Sequence, residues 1–240
     1  MVAPPPVSRS CGKLPLRESR GFTLLELLLV VAIMVILIGL TVPAVSNFRS
    51  ANLLSASGEK VVNLLNLARQ NSMSRNTMTA FVMITDPTLA NPYRSFALLE
   101  LVPLSSGTPP ATRTWKQISN WETLPDGVIV DPAWPSNVAQ SLADSSTQAS
   151  HLPASMAITP FAYGGENVDS YRYVIFMPTG GLFLNGSSSF VQIQLVEGFL
   201  PQGSGTPTYT KPATGPGGSW ANYYRISTLA ATGRVKIDRP

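Results

Sequence analysis

The chain has 240 residues, 44% of them hydrophobic and 12% charged, a composition that buries a core and excludes a wholly disordered polar chain. Its formal charge is +4, but Arg9, Lys13, Arg17 and Arg20 against Glu18 place +3 of that within residues 1–21. The remaining 219 residues carry +1, so the basic isoelectric point is no argument for general polyanion binding by the folded part. The single cysteine, Cys11, lies in the basic segment, which excludes an intrachain disulfide and a cysteine metal cluster.

Residues 27–42 run without a charge, and the 21 residues from 22 to 42 contain one, Glu26. At ~1.5 Å per residue this stretch extends roughly 31 Å, the thickness of a ~30 Å hydrocarbon core if Glu26 lies at or inside its boundary. The preceding cations stay on the cytoplasmic side under the positive-inside rule, which directs everything after Pro43 to the periplasm. Beyond Pro43 the helical pattern continues, because Val61, Leu64, Leu65 and Ala68 recur at the i, i+3, i+4, i+7 spacing of a one-sided apolar stripe. One helix is therefore predicted from about 22 to 75. Pro43 removes one ladder bond and, with Gly39 nearby, is expected to bend it.

After Arg75 the period changes to two. Short strands are predicted at 77–85, 95–102, 115–119 and 127–130, then at 171–177, 190–196, 223–229 and 234–237, with Ala231-Thr232-Gly233 as a hairpin turn. The stretches 103–113, 132–155 and 200–221 are rich in Pro, Gly, Ser and Ala and read as surface loops. The fold class expected is α+β, a long kinked N-terminal helix with a transmembrane first half, packed on an antiparallel β-sheet domain. Its organisation is 1–21, a basic leader; 22–43, the transmembrane half of the helix; 44–76, its amphipathic half; and 77–240, a β-rich domain with long loops.

Glu26 carries the most chemistry. A carboxylate at membrane depth costs ~2.5 to 3.5 kcal/mol on insertion scales and needs a partner. A helical turn spans ~6 Å, so a partner at residue 22 would lie within reach of Glu26, and Gly21, lacking a Cβ, leaves the backbone there open to close approach.

Arg20-Gly21-Phe22-Thr23-Leu24-Leu25-Glu26-Leu27-Leu28, between basic leader and apolar run, resembles the type III signal of prepilins. The resemblance implies that a prepilin peptidase cuts between Gly21 and Phe22 and methylates the new Phe22 amine. It implies further that Glu26 pairs with the Phe22 amine of a neighbouring pilin-like subunit, with pairing inside one chain as the alternative while the subunit waits in the membrane, and that Pro43 matches the family's helix proline. Farther on, Leu67-Ala68-Arg69-Gln70, Phe176-Met177-Pro178-Thr179-Gly180-Gly181 and Ala231-Thr232-Gly233-Arg234-Val235 resemble the GspH/FimT group of minor pilins and pseudopilins. With Leu124-Pro125-Asp126-Gly127-Val128 and Arg239-Pro240 added, the chain is most similar to protein D of the Verru_Chthon cassettes. The location implied is the inner membrane, single-pass, with the N-terminus cytoplasmic and the C-terminal domain periplasmic, and then a pilus or pseudopilus. As turn chemistry alone, Pro178, Gly180-Gly181 and Gly233 need only reverse the chain between strands.

Other chemistry is thin. His151 is the one histidine and sits in a loop of small residues without charged neighbours; no Gly-x-Ser-x-Gly elbow accompanies it. Glu166 and Asp169 offer two carboxylates where calcium takes ~6 to 8 oxygens, so neither enzyme activity nor a cofactor or metal is expected. Arg225, Arg234, Lys236 and Arg239 form a basic cluster that is the candidate surface for nucleic acid, as in a DNA-uptake minor pilin. The other alternative is a signal-anchored periplasmic domain, since Ala44 and Ser46 also fit a leader-peptidase cut. Trp115, Trp121, Trp134, Trp220, Tyr223 and Tyr224 read as packing first and as a sugar or partner surface second.

Overall fold

The computed structural model describes residues 22–102, 114–133, 141–147, 152–153, 156–158, 161–184, 188–201, 203–210 and 222–239, without the side chains of 40–51. Two units divide between Ser46 and Asn47. A helix, α1 (Leu24–Arg75), runs continuously through Pro43, as the sequence pattern predicts. In the first unit every described residue from Phe22 to Gly39 is exposed, the large apolar side chains from 83% at Leu24 to 44% at Val30. Among the described residues no helix is long and apolar enough to cross a membrane. The apolar part of α1 with described side chains, 24–39, rises about 24 Å, short of a ~30 Å hydrocarbon core, whereas the expected span reaches residue 42.

α1 ends where Asn76 takes φ 52° and the Thr77 N–H donates to the Ser72 carbonyl at 3.2 Å. That six-to-one bond beside a left-handed residue is a Schellman cap, with asparagine in the usual glycine position.

Among the described residues fourteen strands follow, in chain order β1 (Thr79–Ile84), β2 (Ser95–Leu101), β3 (Trp115–Gln117), β4 (Glu122–Thr123), β5 (Val128–Val130), β6 (Ala143–Asp144), β7 (Phe161–Tyr163), β8 (Glu166–Val168), β9 (Tyr171–Phe176), β10 (Leu182–Phe183), β11 (Phe190–Phe199), β12 (Thr208–Tyr209), β13 (Tyr223–Leu229) and β14 (Val235–Asp238). The first sheet runs β10-β9-β1-β2-β3, with β4 on β2 and β6 on β9; the second runs β12-β11-β13-β14, with β5 on β11; β7 and β8 form a separate hairpin. Every pairing is antiparallel, with Phe81 opposite Leu98 and Val174, and Ile226 opposite Ile193 and Ile237. The eight expected strands correspond to β1, β2, β3, β5, β9, β11, β13 and β14. The other six, of two or three residues each like β3 and β5, lie outside the runs in which a period could be read. β6 and β12 correct the reading of 132–155 and 200–221 as loop throughout, and β8 places Glu166 in a strand.

The core explains the patterning. Leu54, Val61, Leu64, Leu65 and Ala68 of α1 join Phe81, Met83, Phe96, Leu98, Val174 and Phe176 of the first sheet and Val191, Ile193, Leu195, Tyr224 and Ile226 of the second in one buried cluster. Ala80, Val82, Ile84, Leu99, Tyr173 and Ile175 point from the opposite face of the first sheet into a second cluster with Leu152, Met156, Ile158 and Val168. The first sheet is thus covered on both faces, which is why β1 is buried at all six positions and reads as an unbroken apolar run. The link between β1 and β2 ties the sheets together: the Tyr93 N–H donates to the Ile84 carbonyl at 2.8 Å, and the Tyr93 carbonyl accepts from Val130 N–H at 3.0 Å. Tyr93 holds φ 58° there, a costly conformation for a bulky side chain that these bonds enforce.

Candidate functional site

The start of α1 is built by Thr23. Its Oγ1 accepts from the Glu26 N–H at 3.2 Å, and its carbonyl accepts from the N–H groups of Glu26 and Leu27 at 3.1 and 3.2 Å. Thr23 is therefore the N-cap and Glu26 the third helical residue, the order Thr-x-x-Glu of a capping box. Four N–H groups point out of a helix N-terminus, so a carboxylate in the first turn is favoured there by the helix dipole. The sequence carried this signal within its most informative segment, beside the charge at membrane depth. Phe22, 80% exposed, stands one residue before the cap; Gly21 lies outside the described residues, and the side chain of Pro43 does too.

The motifs at 67–70, 176–181 and 231–235 converge on one junction inside the second unit. Arg69 Nε donates to the Thr232 carbonyl at 2.8 Å and to the Gly180 carbonyl at 3.3 Å, so one guanidinium on α1 joins the turn between β9 and β10 to the turn between β13 and β14. Leu182 N–H donates to the Ala230 carbonyl at 2.7 Å. A Cβ at Gly181 would meet the Ala231 carbonyl at 2.9 Å, and one at Gly233, which holds φ +62°, would collide with the Gly180 carbonyl. These glycines let two turns from different sheets touch backbone to backbone, a task beyond chain reversal.

The expected basic cluster is divided by the structure. Arg225 reaches Gln194 Oε1 at 3.1 and 3.2 Å and Asp238 at 3.5 Å, and lies 4.6 Å over the Tyr223 ring. Arg239 lies 4.4 Å over the Tyr224 ring and reaches Glu59 at 3.7 Å and Ser55 Oγ at 3.3 Å. Arg234 and Lys236 stand exposed. Two of the four cations are thus engaged by neighbours within the chain, and the uniform positive patch that phosphate binding favours is reduced.

The aromatics named from sequence pack. Trp115 Nε1 donates to the Met156 carbonyl at 2.9 Å; Trp121 Nε1 donates to the Ala162 carbonyl at 3.2 Å and meets Tyr163 edge-on at 5.0 Å. Trp134, Trp220 and His151 lie outside the described residues. Burial raises the Tyr93, Tyr173 and Tyr209 hydroxyls above the usual phenol range, Tyr173 to about 12, with Asp144 as its second cause. Tyr209, also pushed up by Asp131, donates to that carboxylate at 2.9 Å. Among the described residues no group of three or more His, Cys, Asp or Glu is placed to hold a metal ion.

No curated protein matches the chain. Among solved structures the chain is similar to the type IV minor pilin FimU of Pseudomonas aeruginosa strain PAO1, at 12% identity and TM-score 0.37 over 80% of this chain and 96% of that one. A second crystal form of FimU gives 11% identity and TM-score 0.37 over 78% and 97%. The minor pseudopilin EpsH from the type 2 secretion system of Vibrio cholerae gives 13% identity and TM-score 0.36 over 77% and 94%. Residues 16–42, which hold Phe22, Thr23 and Glu26, match the family model of the prokaryotic N-terminal methylation motif.

Proposed function

We propose that the chain is an assembly subunit, a minor pilin or pseudopilin, of a filament of the type IV pilus or type II secretion kind. The observation that carries this reading is the methylation motif at 16–42, with its helix start capped at Thr23 and its carboxylate at Glu26. A prepilin peptidase cuts between Gly21 and Phe22 and methylates the Phe22 amine. The subunit is held in the inner membrane by 22–43, with 77–240 in the periplasm, until like helices replace lipid around it. Lipid is as apolar as those helices, so association rests on close packing and on the Glu26 carboxylate meeting the Phe22 ammonium of the next subunit. The exposed apolar side chains from Phe22 to Ile38 support a helix whose surface suits packing against like helices. The finer likeness to the Verru_Chthon cassette proteins rests on the motifs at 124–128 and 239–240.

Co-expression with a prepilin peptidase followed by mass analysis of the N-terminus tests the reading. Methylated Phe22 is expected; an intact Met1, or a start near Val45 or Asn47, overturns it in favour of a plain anchor or a secretory signal. Glu26→Gln is expected to leave cleavage intact and to abolish cross-linking of the subunit into pilin complexes.

A further inference from the structure

The part of α1 that lies in the second unit is fastened unevenly. From 61 to 68 it buries Val61, Leu64, Leu65 and Ala68, each 8% exposed or less, and the turns around this stretch are held by polar contacts. Lys60 pairs with Glu122 at 2.6 Å and donates to the Thr123 carbonyl at 3.0 Å; Arg69 holds the two turns; Arg75 meets Glu100 at 2.9 Å. From 52 to 59 the buried apolar side chain is Leu54 alone, 2% exposed. Gly58, a poor helix residue, sits here because a Cβ would collide with the Tyr224 ring. Two hydroxyls beside it, Ser57 Oγ and Tyr224 OH, are buried without a hydrogen-bond partner among the described residues, and unpaired buried polar atoms work against docking.

Arg239 stands against those losses. Its guanidinium covers the Tyr224 ring at 4.4 Å, the same ring that leaves no room for a Cβ at Gly58. It reaches Ser55 Oγ at 3.3 Å and Glu59 at 3.7 Å, two residues four apart and so on one face of the helix. The planar cation lays its face on the ring while its edge N–H groups donate and pair, a geometry that the point charge of an ammonium does not reproduce. We infer that residues 55–59 of α1 form a releasable turn, docked on the second sheet through the Gly58–Tyr224–Arg239 stack and let go when Arg239 is withdrawn, while the helix from 61 onward stays fixed. The device belongs to the second unit and stands apart from the filament reading.

Hydrogen exchange with mass spectrometry on the full chain in detergent tests it, comparing the parent with Arg239→Ala and Arg239→Lys. Arg239→Ala is expected to speed exchange of 52–60 about tenfold, a size set by loss of one exposed ion pair and one cation–π contact together, and to leave 61–72, β1 and β9 unchanged. Arg239→Lys falls between. Unchanged exchange at 52–60, or an equal rise through 61–72, overturns the inference. If Arg239→Ala does not fold, Arg239→Lys carries the same comparison, with a local rise in support and a null or uniform result against. Phe22 processing is read separately, so failure of this device and failure of the pilin reading are told apart.

Discussion

Arg69→Ala is the sharpest test of the motif junction. The substitution removes both Nε contacts, to Thr232 O at 2.8 Å and Gly180 O at 3.3 Å, and takes nothing from the apolar core. A hydrogen bond to a charged group contributes ~1.5 to 3 kcal/mol, but the longer contact is weak and the Thr232 carbonyl is exposed enough for water to replace the donor. The expected loss is therefore about 2 kcal/mol in all. For a domain of this size each kcal/mol moves the melting temperature by ~2 to 4 °C, so thermal unfolding followed by near-UV circular dichroism should show a fall of about 4 to 8 °C. Gly233→Ala strikes the same junction by another route, since φ is +62° and the new Cβ meets the Gly180 carbonyl. Because both changes open one contact, the double variant should lose clearly less than the sum of the two. A shift below about 1 °C for Arg69→Ala, or losses that add within ~0.5 kcal/mol, would refute the claim that these motifs act as one unit.

Thr23→Ala should cost the first turn of α1 about 1 kcal/mol, with Thr23→Ser restoring most of it; amide exchange of residues 24–27 by NMR in micelles measures it. Tyr173 is held above its ordinary value of 10.0, at about 12, so its neutral form is favoured in the folded state. Stability is then flat below pH ~10, falls by up to roughly 2 to 3 kcal/mol as the unfolded phenol ionises first, and levels off above the folded value. Tyr173→Phe should reduce the alkaline slope in urea titrations, leaving the part due to Tyr93 and Tyr209, with no loss at neutral pH, because the Tyr173 hydroxyl has no hydrogen-bond partner among the described residues. Leu65→Ala, at a side chain with 0% exposure, should cost ~2 to 5 kcal/mol by the same titration at pH 7. Electrophoretic shift with the full chain should show no salt-sensitive DNA binding; a steep fall of affinity with salt that Arg234→Ala and Lys236→Ala together abolish would restore the uptake reading.

Local physics made much of this chain legible before any fold was drawn. The charge asymmetry of 1–21, the apolar run, the helix stripe at Val61, Leu64, Leu65 and Ala68, and eight of the fourteen described strands are all patterns of neighbours in sequence, and periodicity reports neighbours well. Thr23-x-x-Glu26 was equally local, a capping signal hidden beside a more conspicuous charge. What sequence could not assign was any property made by residues far apart. Gly180, Gly181 and Gly233 look like ordinary turn residues until Arg69 and two carbonyls from different sheets close around them. Arg225 and Arg239 look like a surface for phosphate until Asp238, Glu59 and two tyrosine rings engage them. Two-residue strands such as β4 and β6 exist only because a longer strand beside them supplies hydrogen bonds. Helix, strand and cap are set by short-range sterics and hydrogen bonding, whereas pairing of charges and close approach of backbones depend on which distant segments share a core, and that only the tertiary structure decides.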